Sequence, residues 1–223
     1  MATSEARILV AASVALGICA VVLTGLVIRR EMSQGTSRAE PNLLLRKAEW
    51  EVVVNKGNAV GDIAAKHTLL VFTDYQCPAC RDFEAVVEQV LAQHSTVRVI
   101  YRHFPLRSIH PWAEAAAQAA ECAAAQGVFA RYHATLFAKQ DSLGLLSWAD
   151  IAGIAGVSDT QSFKECVDTG GGIARVADDL ATAHSLELDR TPSVFLDGLR
   201  FARRPSLAAL DTLVGATAKA QRD

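Results

Sequence analysis

Residues 67–104 constrain the fold of this chain more than any other segment. They begin with HTLLVFTDY, a continuous apolar run of strand length, and end with VRVIYRHF, a second such run. Continuous apolar strands are typical of parallel sheets that are covered on both faces. Between the two runs, apolar residues from Phe83 to Leu91 recur at helical spacing. The segment therefore predicts a β-α-β unit.

The flanking segments extend this pattern. The run EWEVVV at 49–54 predicts a strand because it alternates and is β-branched, and residues 55–62 predict a turn. At 191–201, TPSVFLDGLRF predicts two strands joined by Asp197-Gly198, a preferred hairpin turn. Helices are predicted at 110–127, 128–140, 147–156, 158–170, 172–186 and 206–221. This order predicts an α/β thioredoxin fold with a helical insertion, at about 107–186, between its two halves.

Two cysteines, Cys77 and Cys80, lie where the first strand of the β-α-β unit passes into its helix. Pro78 suits the first helical turn, because its missing N–H has no partner there in any case. The unpaired N–H groups and the positive end of the helix dipole stabilise a thiolate, so we expect the pKa of Cys77 to fall below about 8.5. Cys80 follows one turn later on the same face. The pair therefore predicts a redox site, in which Cys77 attacks a disulfide and Cys80 resolves the mixed disulfide.

Two other roles for this pair are less favoured. A zinc site needs four ligands, and the remaining cysteines and histidines are scattered along the sequence. A purely structural Cys77–Cys80 bond would close so small a loop that it would stabilise the fold little. The sequence Thr191-Pro192 supports the redox role, because a proline directly before a strand is often cis. We therefore expect no metal and no bound cofactor.

The N-terminal residues predict a membrane anchor. From Ile8 to Ile28 there are 21 residues without a charge, about 31 Å as a helix, which matches a bilayer core. A cleaved signal peptide is the main alternative, but its apolar core is usually about 7–15 residues long, and no clear cleavage site follows here. We expect a short cytoplasmic segment at 1–7, an anchor at 8–28, a polar linker at 29–47 and a globular domain at 48–223.

Seven motifs follow one another along the globular part. They are GNAVGD at 57–62, FTDYQCPAC at 72–80, YRHFPL at 101–106, HPWAEAAAQAAECAAAQG at 110–127, YHATLF at 132–137, FKECVDTG at 163–170 and TPSVFLDG at 191–198. A Cys-x-x-Cys motif alone would be a weak signal, but the ordered set is specific. On these motifs, residues 48–222 resemble the DsbA-like thioredoxin-fold thiol–disulfide oxidoreductases, in particular their membrane-anchored bacterial branch.

The resemblance implies a role for each matching residue. The motif Cys77-Pro78-Ala79-Cys80 would carry the chemistry, with the nucleophile first, the resolving cysteine last and Pro78 and Ala79 supporting them. Thr191 would precede a cis Pro192 that packs against the cysteines. The backbone of this loop would pair with an extended substrate segment, a form of strand addition.

Two positions depart from the pattern of the resembled family. Strongly oxidising members carry a histidine before the second cysteine, where this chain has Ala79. An acid often lies six residues before the nucleophile, where this chain has Val71. Asp74 is nearer to the cysteines, and a turn or capping role is favoured for it over proton handling. We therefore expect a reduction potential within the span from about −270 mV for thioredoxin to about −120 mV for DsbA.

Cys122 and Cys166 lie in the predicted helical insertion. Free buried cysteines are one interpretation, since cysteine packs as a small apolar residue. A structural disulfide is favoured in an oxidising compartment, and some members of the resembled family staple this subdomain. The bond would close a loop of about 45 residues and contribute about 4 kcal/mol.

The sequence favours a thiol–disulfide oxidoreductase that donates the Cys77–Cys80 disulfide to exported proteins and is reoxidised by a quinone-linked membrane protein. Two alternatives stay open: a reductase or isomerase fed by a membrane electron donor, and a redox-inert chaperone or binding module on the same scaffold. Disulfide chemistry belongs in an oxidising space, so we expect a single-pass protein of the cell membrane with its globular part on the periplasmic side. A net charge of −2 gives no argument for a nucleic-acid partner, and we expect a monomer.

Overall fold

The computed structural model describes residues 41–220, with side chains for residues 44–215. The predicted N-terminal segment, the predicted anchor at 8–28 and most of the predicted linker lie outside the described residues. Among residues 41–220, none of the helices combines the length and the apolar character that a membrane span requires.

The described residues form six strands, eight α-helices and one short 3₁₀ turn. The strands are β1 (Pro41–Leu44), β2 (Asn58–Val60), β3 (His67–Thr73), β4 (Val97–His103), β5 (Ser193–Leu196) and β6 (Leu199–Phe201). The helices are α1 (Lys47–Val54), α2 (Pro78–Gln93), α3 (Ala113–Ala124), α4 (Phe129–Ala138), α5 (Trp148–Ala155), α6 (Thr160–Asp168), α7 (Ile173–Ser185) and α8 (Leu207–Ala220). The 3₁₀ turn is Gln140–Ser142.

One sheet contains all six strands, in the order β1-β6-β5-β3-β4-β2. Strands β3 and β4 are parallel and are joined by α2, which is the predicted β-α-β unit. The other neighbouring strands are antiparallel. Helices α3 to α7 lie between the β-α-β unit and the final β5-β6-α8 segment. The prediction of a thioredoxin fold with a helical insertion between its two halves is therefore confirmed.

The two faces of β3 pack against different helices, because successive strand side chains point to opposite faces. Leu69 and Val71 belong to a core that includes Phe83 of α2 and the alanine-rich helix α3. Leu70 and Phe72 belong to a second core, which includes residues of α1 and α7. Every residue of β3 is buried, as the continuous apolar run predicts. This burial fixes the end of β3, from which the cysteine loop leaves.

The prediction of a strand at 49–54 is wrong, because these residues belong to helix α1. Trp50, Val53 and Val54 are spaced at i, i+3 and i+4, and all three pack in the second core. The carboxylate of Glu49 also accepts a hydrogen bond from the backbone N–H of Arg46 at 3.2 Å, which caps the helix start. Packing of one helical face therefore outweighs the β-preference of the three valines.

Two short strands occupy segments that the sequence assigns to a linker and a turn. Residues 41–44, within the predicted linker at 29–47, form β1 and pair with β6 at one edge of the sheet. Residues 58–60, within the predicted turn at 55–62, form β2 and pair with β4 at the other edge. Edge strands of three or four residues are too short for an alternating pattern to predict them. The folded part thus begins before the predicted boundary at residue 48.

Candidate active site

The two cysteines of the Cys-x-x-Cys motif sit at the first turn of α2. Cys77 is the N-cap residue and Pro78 is the first helical residue, as the sequence predicts. Both cysteines are free thiols. Cys77 retains 7% of its exposure and Cys80 only 1%, so Cys77 is the more accessible sulfur. The fold therefore presents Cys77 to a reaction partner and shields Cys80 beneath it.

A loop more than a hundred residues away contacts the first cysteine. The peptide bond between Thr191 and Pro192 is cis. In its protonated form the Cys77 thiol donates to the carbonyl oxygen of Thr191, with a sulfur-to-oxygen distance of 3.4 Å. A cleft of about 250 Å³ opens beside Pro192, with Arg190 and Ser193 among its lining residues. The structure thus brings together the two segments of the predicted site, Cys77–Cys80 and Thr191-Pro192.

The environment separates the acidities of the two cysteines. A hydrogen bond from the Cys80 thiol lowers the pKa of Cys77 to about 5, against the opposing effect of burial. The Thr191 side chain and the backbone N–H groups of Cys80 and Ala79 lower it further. Burial, followed by the hydrogen bond and charge of Cys77, raises the pKa of Cys80 well above its usual range. At neutral pH Cys77 is therefore a thiolate and Cys80 a thiol.

This separation predicts a pH profile for the reduced protein. We expect iodoacetamide to alkylate Cys77 with a midpoint near the pKa of about 5 and to leave Cys80 unmodified. The folded-state pKa lies below the value of about 8.5 for an unfolded cysteine. The thiolate therefore stabilises the reduced fold fully above about pH 8.5, and this contribution is lost as the pH falls through about 5. A midpoint near 8.5 would contradict the assigned thiolate.

Asp74 holds the loop that leads into the cysteines. Its buried carboxylate accepts hydrogen bonds from the backbone N–H groups of Gln76 and Leu106, both at 2.7 Å. The same carboxylate lies 2.8 Å from Nδ1 of His110. The backbone N–H of Cys77 bonds to the Asp74 carbonyl at 3.1 Å. Asp74 thus joins the loop after β3 to the loop after β4, which matches the turn role that the sequence favours.

Gln140, which the sequence analysis did not identify, clamps the same loop from the helical insertion. Its buried side-chain amide donates to the carbonyl oxygens of Tyr75 at 2.9 Å and of Cys77 at 3.0 Å. Gln140 lies in the 3₁₀ turn after α4. One side chain therefore satisfies two carbonyl groups on either side of Gln76 and ties the redox loop to the insertion.

We expect Gln140→Ala to destabilise the protein by about 1–3 kcal/mol, because it removes two buried hydrogen bonds, one to the carbonyl oxygen of Tyr75 and one to that of Cys77. Urea unfolding of the reduced variant and of the wild type measures the difference. Gln89→Ala is a matched control, since the Gln89 amide donates to one carbonyl on the exposed face of α2. Equal losses in the two variants would contradict the clamp.

Arg204 is a second residue that sequence reasoning did not find. It follows β6, and its NH1 group donates to the carbonyl oxygen of Ala79 at 2.8 Å. The same group lies 3.7 Å from a carboxylate oxygen of Asp82 on α2. A cationic side chain therefore reaches into the Cys-x-x-Cys turn from the C-terminal half of the fold.

The position at which the resembled family often carries an acid, Val71 in this chain, is part of the core. Val71 is fully buried in β3 and packs in the core that includes α2. Buried carboxylates do occur further from the cysteines, in a group formed by His103, Glu121 and Asp179. Asp179 accepts from the Arg102 guanidinium and Glu121 accepts from Asn58. These oxygens already have donors, so the group acts as a hydrogen-bonded link between β4 and the insertion.

Cys122 and Cys166 form a disulfide in the structure, 44 positions apart in sequence. The bond joins α3 to α6 within the helical insertion. Cys122 is buried in the core, and Cys166 packs against that core from its edge. The pair is bonded, whereas Cys77 and Cys80 are free thiols, so its place in the fold is that of a staple.

The fold and the paired cysteines define a protein of the thioredoxin class. Residues 54–216 match the family model Thioredoxin_4, described as thioredoxin, and the chain belongs to that family. The structure is similar to a thioredoxin-like oxidoreductase from Silicibacter pomeroyi, with a TM-score of 0.64 and 23% identity over 78% of this chain and 99% of the other. It is also similar to oxidised BdbD from Bacillus subtilis, with a TM-score of 0.65 and 18% identity over 82% of this chain and 100% of the other.

Two further similarities widen this comparison. The catalytic domain of ScsC from Proteus mirabilis matches with a TM-score of 0.62 and 23% identity, over 76% of this chain and 94% of that one. Among curated proteins, a protein named Na(+)/H(+) antiporter NhaA 3 from Salinispora tropica is 34% identical over 157 residues, which is 69% of this chain. That match spans 24% of the antiporter, so the chain corresponds to about a quarter of this relative's length.

Proposed function

We propose that this protein is a thiol–disulfide oxidoreductase that donates its Cys77–Cys80 disulfide to the thiols of exported proteins. One observation carries the proposal. Cys77, with a pKa of about 5, contacts the cis-proline loop, while the pKa of the shielded Cys80 is raised. A stabilised thiolate favours the reduced form of the pair, and a pair that favours its reduced form oxidises its partners.

The proposed reaction starts from the oxidised pair. A substrate thiolate attacks the sulfur of Cys77, the Cys77–Cys80 bond breaks, and Cys80 leaves and takes up a proton. Cys77 is then joined to the substrate in a mixed disulfide. A second substrate thiolate attacks the substrate's sulfur and releases Cys77 as a thiolate. Two electrons pass from the substrate to the pair, and the low pKa of Cys77 makes it the better leaving group.

We propose that the substrate binds at the accessible side of Cys77, next to the cis-proline loop. The carbonyl of Thr191 faces Cys77, and the next residue, Pro192, lines the cleft. An extended substrate segment that pairs with this loop would bring its cysteine to the Cys77 sulfur. Shielding of Cys80 directs the attack to Cys77.

The compartment and the recycling partner belong to the same proposal. The Cys122–Cys166 bond is typical of proteins in oxidising compartments, which supports a globular part outside the cytoplasmic membrane. We propose that residues 8–28 anchor the protein in that membrane and that a quinone-linked membrane protein reoxidises the pair. The protein would act as a monomer.

The direction of electron flow is the part of the proposal that an experiment decides. The oxidised full-length protein is mixed with a reduced, unfolded substrate protein that requires disulfides to fold. In a second reaction, the full-length protein with its Cys77–Cys80 pair reduced is mixed with a substrate that contains a disulfide. We expect the first reaction to run nearly to completion and the second to be slow and incomplete. The opposite result would favour a reductase or isomerase, for which Ala79 in place of a histidine is the specific observation.

A further inference from the structure

Arg204 contacts the redox motif at a single backbone atom. Its guanidinium donates to the carbonyl oxygen of Ala79 at 2.8 Å, across 125 positions of sequence. The Ala79 carbonyl belongs to the same peptide group as the backbone N–H of Cys80. That N–H donates to the carbonyl oxygen of Cys77 at 3.1 Å, and it also lies close enough to the Cys77 sulfur to lower the pKa of Cys77. One rigid peptide plane therefore has the guanidinium at its carbonyl end and the thiolate near its N–H end.

This arrangement affects the thiolate in two ways. A cation on the carbonyl oxygen polarises the peptide group, and an N–H in a polarised chain of hydrogen bonds is a stronger donor. The bond also fixes the orientation of the plane, so the N–H stays directed at Cys77. Both effects are larger for a charged donor than for a neutral one.

The other charged groups around the turn are engaged elsewhere. Arg81 on α2 pairs with Asp141 of the 3₁₀ turn at 3.0 Å. Asp74 is occupied by His110 and two backbone N–H groups. Asp82 on α2 is 3.7 Å from Arg204, beyond hydrogen-bond distance, and is itself exposed. Arg204 is thus the guanidinium that bonds directly to the Cys77–Cys80 turn among the described residues.

We propose that Arg204 is a positioning residue that stabilises the Cys77 thiolate through the peptide group between Ala79 and Cys80. For its biological meaning the inference rests on the proposed function, because Arg204 would then help to set how oxidising the Cys77–Cys80 pair is. The effect of Arg204 on the thiolate can be tested independently of the proposed function, because the acidity of Cys77 can be measured without a substrate. The Arg204 side chain is 41% exposed, so its loss should leave the stability of the fold nearly unchanged.

The test compares Arg204→Ala, Arg204→Lys and Arg203→Ala in the full-length protein. Arg203 is the matched control, because it is the exposed neighbour and makes no hydrogen bond or ion pair to another described residue. The pKa of Cys77 is read from thiolate absorbance. The equilibrium constant with glutathione is measured at neutral pH, and the unfolding midpoint checks the fold.

We expect Arg204→Ala to raise the pKa of Cys77 by about half a unit to one unit. The same change should shift the glutathione equilibrium about threefold to tenfold toward the oxidised pair, since each unit of thiolate pKa is tenfold in stability of the reduced form at a pH above that pKa. Arg204→Lys keeps a charged donor and should recover most of both shifts, and Arg203→Ala should show neither.

Equal pKa values for Cys77 in wild type, Arg204→Ala and Arg203→Ala would overturn the inference. An equal shift in Arg204→Ala and Arg203→Ala would also overturn it, because it would show a diffuse effect of surface charge. Failure of the proposed function is seen separately. In that case the wild type itself does not exchange with glutathione, while the titration of Cys77 still decides the role of Arg204.

Discussion

Cys77→Ser will reduce disulfide exchange to the uncatalysed background, whereas Cys80→Ser will stop the reaction halfway. The serine hydroxyl cannot form the mixed disulfide, so no covalent step remains in the first variant. In the second, Cys77 is still available to form a mixed disulfide, but the resolving sulfur is gone. A disulfide-containing substrate should therefore accumulate as a covalent adduct on Cys77, visible by mass spectrometry under non-reducing conditions.

The two serine variants control for one another. They remove one sulfur each from the same turn, and only their positions at the accessible and the shielded site differ. Adducts on Cys80 in the Cys77→Ser variant would contradict the assignment of nucleophile and resolving cysteine. If oxidation of substrates in cells survived Cys77→Ser, the redox-inert chaperone or binding module would replace the enzyme proposal.

Loss of the Cys122–Cys166 disulfide will destabilise the protein by about 4 kcal/mol, which for a domain of this size lowers the melting temperature by about 10 °C. The bond closes a loop with a sequence separation of 44, and its absence restores that freedom to the unfolded chain. Urea unfolding of Cys122→Ala, Cys166→Ala and the double variant measures the loss.

The three variants should lose nearly the same free energy, because each of them breaks the same bond. Losses that add in the double variant would point to side-chain packing instead of a cross-link. A loss below about 1 kcal/mol in all three would mean that the bond does not form in solution. The pKa of Cys77 should stay near 5 in each variant, since the groups that shift it are Cys80, Thr191 and Ala79 and not the staple.

The centre of the fold could be predicted from the sequence because its signals are local. The apolar run that forms β3 and the helical spacing of α2 are each contained in one segment. Pro78 marks the first helical residue, and Ser147 and Gly156 mark the two ends of α5. These signals depend on backbone chemistry within a single turn or strand, so tertiary contacts did not change them.

The failures come from segments whose structure is set by distant partners. Residues 49–54 are helical because one face packs in the second core, which their β-branched composition does not reveal. The strand at 41–44 exists because β6 offers it an edge. In both cases the deciding contacts lie elsewhere in the chain, and a local pattern contains no information about them.

The residues of the candidate site also differ in whether the sequence could predict them. The cysteine pair and Thr191-Pro192 carry motifs that the sequence displays. Gln140 and Arg204 bond to backbone carbonyls that are 63 and 125 positions away, and neither belongs to a motif. A glutamine in a short turn or an arginine in a loop is usually a solvated surface residue. Only the fold shows that these two side chains converge on the cysteine turn.

The reduction potential of the Cys77–Cys80 pair tests the donor role most directly. The full-length protein is equilibrated with glutathione buffers, and the fraction of oxidised pair is measured by trapping free thiols. The pKa of Cys77, about 5, lies between about 7 for thioredoxin and about 3.5 for DsbA, whose potentials are about −270 and −120 mV. Interpolation predicts about −180 mV for this pair. A value of about −250 mV or lower would contradict the donor role and identify a reductant of substrate disulfides.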